Sequence, residues 1–204
     1  MPDKYISCEA ALMKLMQDGC SAKNLQSIPE RNAKTLNKGG GLMGTILAID
    51  PGNIKSGYVV VEHDGEEIRR VLDVGKLPNE EIRDVLHENI YGNCTDFAIE
   101  MIAGMGMAVG QEVFDTCLWI GRFMEFAERD GAEPVKIFRR EEKLYLCGCL
   151  SAKDKNIRQA LIDRYGVVGT KANQGFFYGF AKDMWAAMAV AVTYFDKYIK
   201  GVKL

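Results

Sequence analysis

Between residues 45 and 74 short apolar runs follow one another with only turn-forming residues between them. From residue 78 onward such runs alternate with helix-period segments, and few folds accept that order. Residues 45–49, Thr-Ile-Leu-Ala-Ile, read as a buried strand that stops at the turn signal Asp50-Pro51-Gly52. Residues 56–62 read as a second strand, His63-Asp64-Gly65 as a hairpin turn and 67–74 as a third strand, which together make an antiparallel meander. A helix is expected over 78–89, opened by Pro78, with acids in its first turn and apolar positions at Ile82, Val85, Leu86 and Ile90. Residues 96–99 read as a fourth strand closing on Glu100, and a Gly- and Met-rich stretch, 101–110, leads to a helix over 111–129. A fifth strand is expected at 135–138, with helices at 156–165 and 182–200. The fold class is therefore α/β: a mixed sheet, three antiparallel strands then parallel ones, flanked by helices.

At 204 residues, 48% hydrophobic and 26% charged, the chain has the composition of one ordinary soluble domain. The longest apolar stretch, 184–192, falls far short of the roughly 18–20 residues a bilayer span needs, and the polar start has no signal-peptide pattern. A soluble, cytoplasmic protein with no membrane partner is expected. Six cysteines without a CxxC pair, and only two histidines, indicate neither a zinc site nor a disulfide framework, so reduced thiols are expected. A net charge of −2 does not announce a nucleic-acid binder. Residues 136–158, however, carry seven bases against three acids, a local basic region.

Residues 1–42 read differently from the rest. Gly39-Gly40-Gly41 mark a flexible join, and Lys38-Gly39-Gly40 is what a purine-rich ribosome-binding sequence would encode. The expectation is a native start at Met43, with 1–42 as a flexible, non-native extension in which 6–16 forms at most a marginal helix, and a single domain over 43–204.

Three acids occupy informative places. Asp50 ends the first strand, Glu100 ends the fourth and Asp183 opens the last helix. In a mixed sheet, adjacent strand ends and the start of a packed helix can converge on one point. Carboxylates brought together repel, and unless protonated they need cations between them. Oxygen ligands at that density suit Mg²⁺ or Mn²⁺, which can activate water and stabilise a leaving oxygen in phosphodiester hydrolysis.

Ile46-Leu47-Ala48-Ile49-Asp50-Pro51-Gly52 with Ser56-Gly57-Tyr58 resembles the opening of RuvC-type Holliday junction resolvases, members of the RNase H-like nucleases. Phe97-Ala98-Ile99-Glu100 resembles their second acidic motif, and the alanine-rich run from Asp183 to Val192 their closing helix. Lys153-Asp154-Lys155-Asn156-Ile157-Arg158, with Tyr178-Gly179-Phe180 further on, is similar to the phage and prophage branch. The resemblance covers residues 43 to about 198. It implies a metal-dependent crossover junction endodeoxyribonuclease acting in recombination and repair, with Asp50, Glu100 and Asp183 as ligands of Mg²⁺ or Mn²⁺. It further implies Lys143 as a catalytic lysine near the scissile phosphate, Lys153, Lys155 and Arg158 as a DNA-binding region, branched DNA as partner, and a homodimer. One departure stands out. The bacterial pattern has a second aspartate one helical turn after the first, where this chain has Ala186.

The helix over 111–129 carries more apolar surface than one stripe requires, so part of it is a candidate dimer contact, with core packing the equal alternative. Met101, Met105 and Met107 can fill core gaps or touch DNA. Phe176, Phe177 and Tyr178 can stack on unpaired bases, although such a cluster more often packs against a sheet. Ala186 also keeps open a non-catalytic junction-binding protein. An ATP-binding domain of the actin and sugar-kinase type shares the opening strand and turn, but it needs a second domain for which about 160 residues leave no room.

Overall fold

The computed structural model describes residues 43–87, 94, 96–104, 106, 108–129 and 131–204. The extension 1–42 and its 6–16 helix, the helix end at 88–89, Ile90, Met105 and Met107 lie outside the described residues. In chain order the elements are β1 (Gly44–Asp50), β2 (Lys55–His63), β3 (Ile68–Pro78), α1 (Asn79–His87), β4 (Asp96–Met101), α2 (Gln111–Arg129), β5 (Pro134–Phe138), α3 (Arg139–Cys147), α4 (Asp154–Tyr165) and α5 (Lys182–Tyr194). A π-helical turn, Phe195–Ile199, continues α5.

The strands form one mixed sheet in the order β3-β2-β1-β4-β5. β1–β2 and β2–β3 pair antiparallel, while β1–β4 and β4–β5 pair parallel, as the meander followed by alternation predicts. Alternate residues of a strand face opposite sides, and each side has its own core. Ile46, Ala48, Val59, Val61, Ala98 and Ile137 face α5 and α4, represented by Ala187, Met188, Val190, Ile157 and Leu161. Leu47, Ile49, Tyr58, Val60, Phe97 and Ile99 face α1 and α2, represented by Ile82, Val85, Leu86, Ile120 and Phe123. Helix α5 is buried all round from Ala187 to Tyr194, which explains its alanines: small side chains let it lie close against the sheet. Each fully buried Val, Leu, Ile or Phe contributes about 1.5–3 kcal/mol.

Three elements differ from expectation. β3 runs on to Pro78, because residues 75–78 continue to pair with Lys55–Tyr58 and Gly75 lies against the Tyr58 ring, where a Cβ would come within 2.8 Å of Cε1. Pro78 therefore ends a strand, and α1 starts one residue later. Residues 139–147, to which the sequence pattern assigned no element, form helix α3. The last helix changes to π-type winding after Tyr194 rather than running on unbroken to residue 200. No described helix is long and apolar enough to cross a membrane.

Candidate active site

Asp50 and Glu100 sit directly after the paired residues Ile49 and Ile99 on adjacent parallel strands. By alternation both share the face of Ala48 and Ala98, the side covered by α5. Across β1–β2, Asp50 pairs with Gly57, and across β2–β3, Gly57 pairs with Lys76. Gly57 is where α5 comes down on the sheet: a Cβ there would lie 2.6 Å from the backbone oxygen of Asp183 and 3.0 Å from its Cβ. The absence of a side chain at Gly57 is thus what admits Asp183 beside Asp50. Lys76, one strand further out, makes an ion pair with Asp183.

The turn after Asp50 is braced by a buried polar network. Gly52 N–H donates to Ser56 Oγ at 3.1 Å, Ser56 Oγ donates to Asn79 Oδ1 at 2.7 Å, and Asn79 Nδ2 donates to the Gly52 carbonyl at 2.8 Å. Ser56 and Asn79 are buried, so the network fixes the end of β1 from the start of α1.

A fourth carboxylate completes the cluster. Glu142, on α3, is wholly buried, and its Oε2 accepts from Arg139 one turn earlier. Its Oε1 has no hydrogen-bond partner. Arg139 also donates to Asp154 at the start of α4, at 2.6 Å. Helix α3 is held by its ends: Glu141 Oε2 accepts the Phe138 N–H at 2.8 Å, Lys197 Nζ donates to Glu141 Oε1 at 2.5 Å, and Tyr145 Oη donates to the Val202 carbonyl at 3.0 Å. Gly148, in left-handed geometry at φ 63°, closes it.

The acids feel one another. Burial, a hydrogen bond and repulsion from Glu100, and repulsion from Asp183 push the Asp50 carboxyl up to about 8, against the pull of Arg139. Burial and repulsion from Glu100 and Asp50 likewise push Glu142 up to about 9, again against Arg139. Burial works against the Arg139 charge, but Glu142, Asp154 and Glu100 outweigh it and hold its pKa above the ordinary value. Among the described residues, no three acid, histidine or cysteine side chains converge tightly enough to hold an ion as they stand. Asp183 is drawn to Lys76 and Glu142 to Arg139. The chemistry of this set nevertheless suits a divalent cation: four carboxylates, one with an orphaned buried oxygen, are the hard oxygen donors that Mg²⁺ and Mn²⁺ take.

The structure thus brings Asp50, Glu100 and Asp183 to one end of the sheet, as their sequence positions suggest. Lys143 follows Glu142 on α3 and is half-buried, whereas Lys153, Lys155 and Arg158 are exposed around the start of α4. The Arg158 guanidinium lies 4.7 Å from the ring centre of Trp185, two residues past Asp183. Among the described residues, the cations that touch a site acid are Lys76 and Arg139. In the sequence Arg139 and Glu142 enter only as charges of the basic region 136–158, and nothing there marks Lys76. The one available signal was for α3 itself: Glu141 three residues after Phe138, acids in the first turn and a closing Gly148. Phe177 is buried and Phe176 stacks on Tyr165 at 4.9 Å, so these two rings are core, with Tyr178 exposed beside them.

No protein-family model and no curated protein sequence matches the chain. Solved structures do match it in fold. RuvC of Thermus thermophilus superposes with a TM-score of 0.59 at 17% identity, over 77% of this chain and 96% of that one. The same protein in complex with a Holliday junction substrate gives 0.63 at 16%, over 78% and 96%. The yeast mitochondrial Holliday junction resolvase gives 0.52 at 10%, over 96% of both chains. The chain has the RuvC-type, RNase H-like fold.

Proposed function

We propose that the chain is a structure-selective endonuclease that resolves Holliday junctions or other branched DNA by divalent-metal-dependent phosphodiester hydrolysis, a crossover junction endodeoxyribonuclease. The observation that carries this reading is the row Lys76–Gly57–Asp50 with Glu100 beside it. It gathers three carboxylates from β1, β4 and α5 at one end of a sheet of the fold that, in T. thermophilus RuvC, binds a Holliday junction.

Asp50, Glu100 and Asp183 are the residues that would hold Mg²⁺ or Mn²⁺. A bound divalent ion supplies a water acidified for attack and neutralises charge on the reacting phosphate. The protein supplies the rest. The Gly52–Ser56–Asn79 network braces the turn that follows Asp50, and Gly57 sets the depth of Asp183. The buried, mutually repelling acids disfavour their own ionised forms, which makes the site demand a cation. Lys76 and Arg139, already on site acids, stand where a DNA phosphate entering the cluster finds positive charge, and Lys143 lies one residue from Glu142. Lys153, Lys155 and Arg158 offer sequence-independent contacts to the DNA backbone.

A two-fold substrate is matched by a two-fold dimer. Helix α2 exposes Phe114 and Leu118, at 54% and 65%, four residues apart on one face, the surface on which a homodimer would close.

The test is incision of an immobile four-way junction against a linear duplex with the same arms, in Mg²⁺ or EDTA. The account predicts cutting of the junction alone, lost in EDTA and reduced at least about a thousandfold in Asp50→Asn. Tight junction binding with no incision in Mg²⁺ or Mn²⁺ would favour the non-catalytic junction-binding protein that Ala186 keeps in view.

A further inference from the structure

Glu142 has features a structural ion pair alone does not explain. A buried glutamate kept only to pair with an arginine would use both oxygens, because each unpaired buried acceptor carries a desolvation cost. Here Arg139 engages Oε2 alone, while Oε1 is buried without a partner. The side chain also lies near enough to Glu100 and Asp50 to feel both charges. Placing a third like charge there is unfavourable unless a cation shares the space. On α5, the residue one turn past Asp183 and on its face is Ala186, which has no donor to offer.

We propose that Glu142 supplies the fourth carboxylate of the site, binding the divalent cation through Oε1 while Arg139 holds Oε2. The donor that α5 lacks at Ala186 is delivered from α3 instead. This rests on the metal-dependent reading above and adds a ligand to it. Arg139 is then a positioning residue: it fixes the glutamate rotamer and, through Asp154, ties α3 to the start of α4.

The probe is Mn²⁺ alone, titrated calorimetrically into the metal-stripped full chain, without DNA and without turnover. Glu142→Gln keeps the volume and an acceptor for Arg139 but removes the charge. Glu142→Asp keeps the charge but draws it back by one methylene. The expected result is Mn²⁺ binding by the parent and a loss of at least about tenfold in affinity, or of one bound ion, in both variants. Should Glu142→Gln fail to fold, as judged by circular dichroism, Glu142→Asp alone is read in the same way. Parent-like Mn²⁺ binding in a folded variant would overturn the role of Glu142 and leave the metal reading standing. No Mn²⁺ binding by the parent would instead remove the metal reading itself, and this proposal with it.

Discussion

Gly57 decides, with a hydrogen in place of a methyl group, whether the site can form. The atom that an added Cβ would meet is backbone, the Asp183 carbonyl, and not the yielding end of a side chain. Gly57→Ala should therefore cost about 1–3 kcal/mol in urea unfolding and should depress metal-dependent incision further than that loss of stability explains, because the helix start is displaced. Unchanged stability would mean that α5 does not sit as close as described. Residue chemistry also orders the thiols. Cys149 is exposed, with hydrogen bonds from Ser151 favouring its thiolate, whereas burial pushes Cys94 up to about 12 and also raises Cys147. Iodoacetamide at pH 7.5 followed by peptide mass mapping should label Cys149 well before Cys94 and Cys147, since the thiolate is the nucleophile; equal rates would contradict the packing around Cys94. Asp50, Glu100 and Asp183 were legible in the sequence because each acid interrupts an apolar pattern at an element boundary. Glu142 was not: within Arg139-Arg140-Glu141-Glu142-Lys143 it reads as one more charge on a solvated face, and only the fold shows it turned inward.

At the scale of elements, all five strands and α2 were legible, the latter end to end at Gln111–Arg129, because its apolar positions keep the helical period. Helix α3 was missed for a physical reason. Its polar, charged sequence buries little beyond Glu142 and lacks an apolar stripe, and its place is set by the Glu141–Lys197 and Tyr145–Val202 contacts, which are long-range. Pro78 was misplaced because proline suits both a helix start and the end of an edge strand, and β3 is an edge. Helix α2 carries the prediction at this scale. Phe114→Glu with Leu118→Glu should convert a dimer to a monomer in sedimentation velocity without loss of helical signal, and binding of two-fold junctions should weaken with it. An unchanged sedimentation coefficient for the pair of substitutions would contradict a dimer closed on α2.

At the scale of the molecule, a sheet with a separate core on each face leaves its strand ends free, and one such end is where the acids of β1 and β4 meet α5 and α3. The order of strands and helices made this architecture readable from the sequence, since a meander followed by alternation admits few sheets. The closure of the site by Gly57, Lys76 and Arg139 depends on cross-strand register and helix docking, which no local pattern encodes. The proposed resolvase would bring two copies of this site to one junction. A supercoiled plasmid with an extruded cruciform tests it most directly, because a first nick relaxes the supercoil, and the cruciform is reabsorbed unless the second cut falls within the lifetime of the same complex. In Mg²⁺ the account predicts linear product with paired, symmetric ends and none with Asp50→Asn, whereas nicked circles alone, or an untouched cruciform, would contradict it.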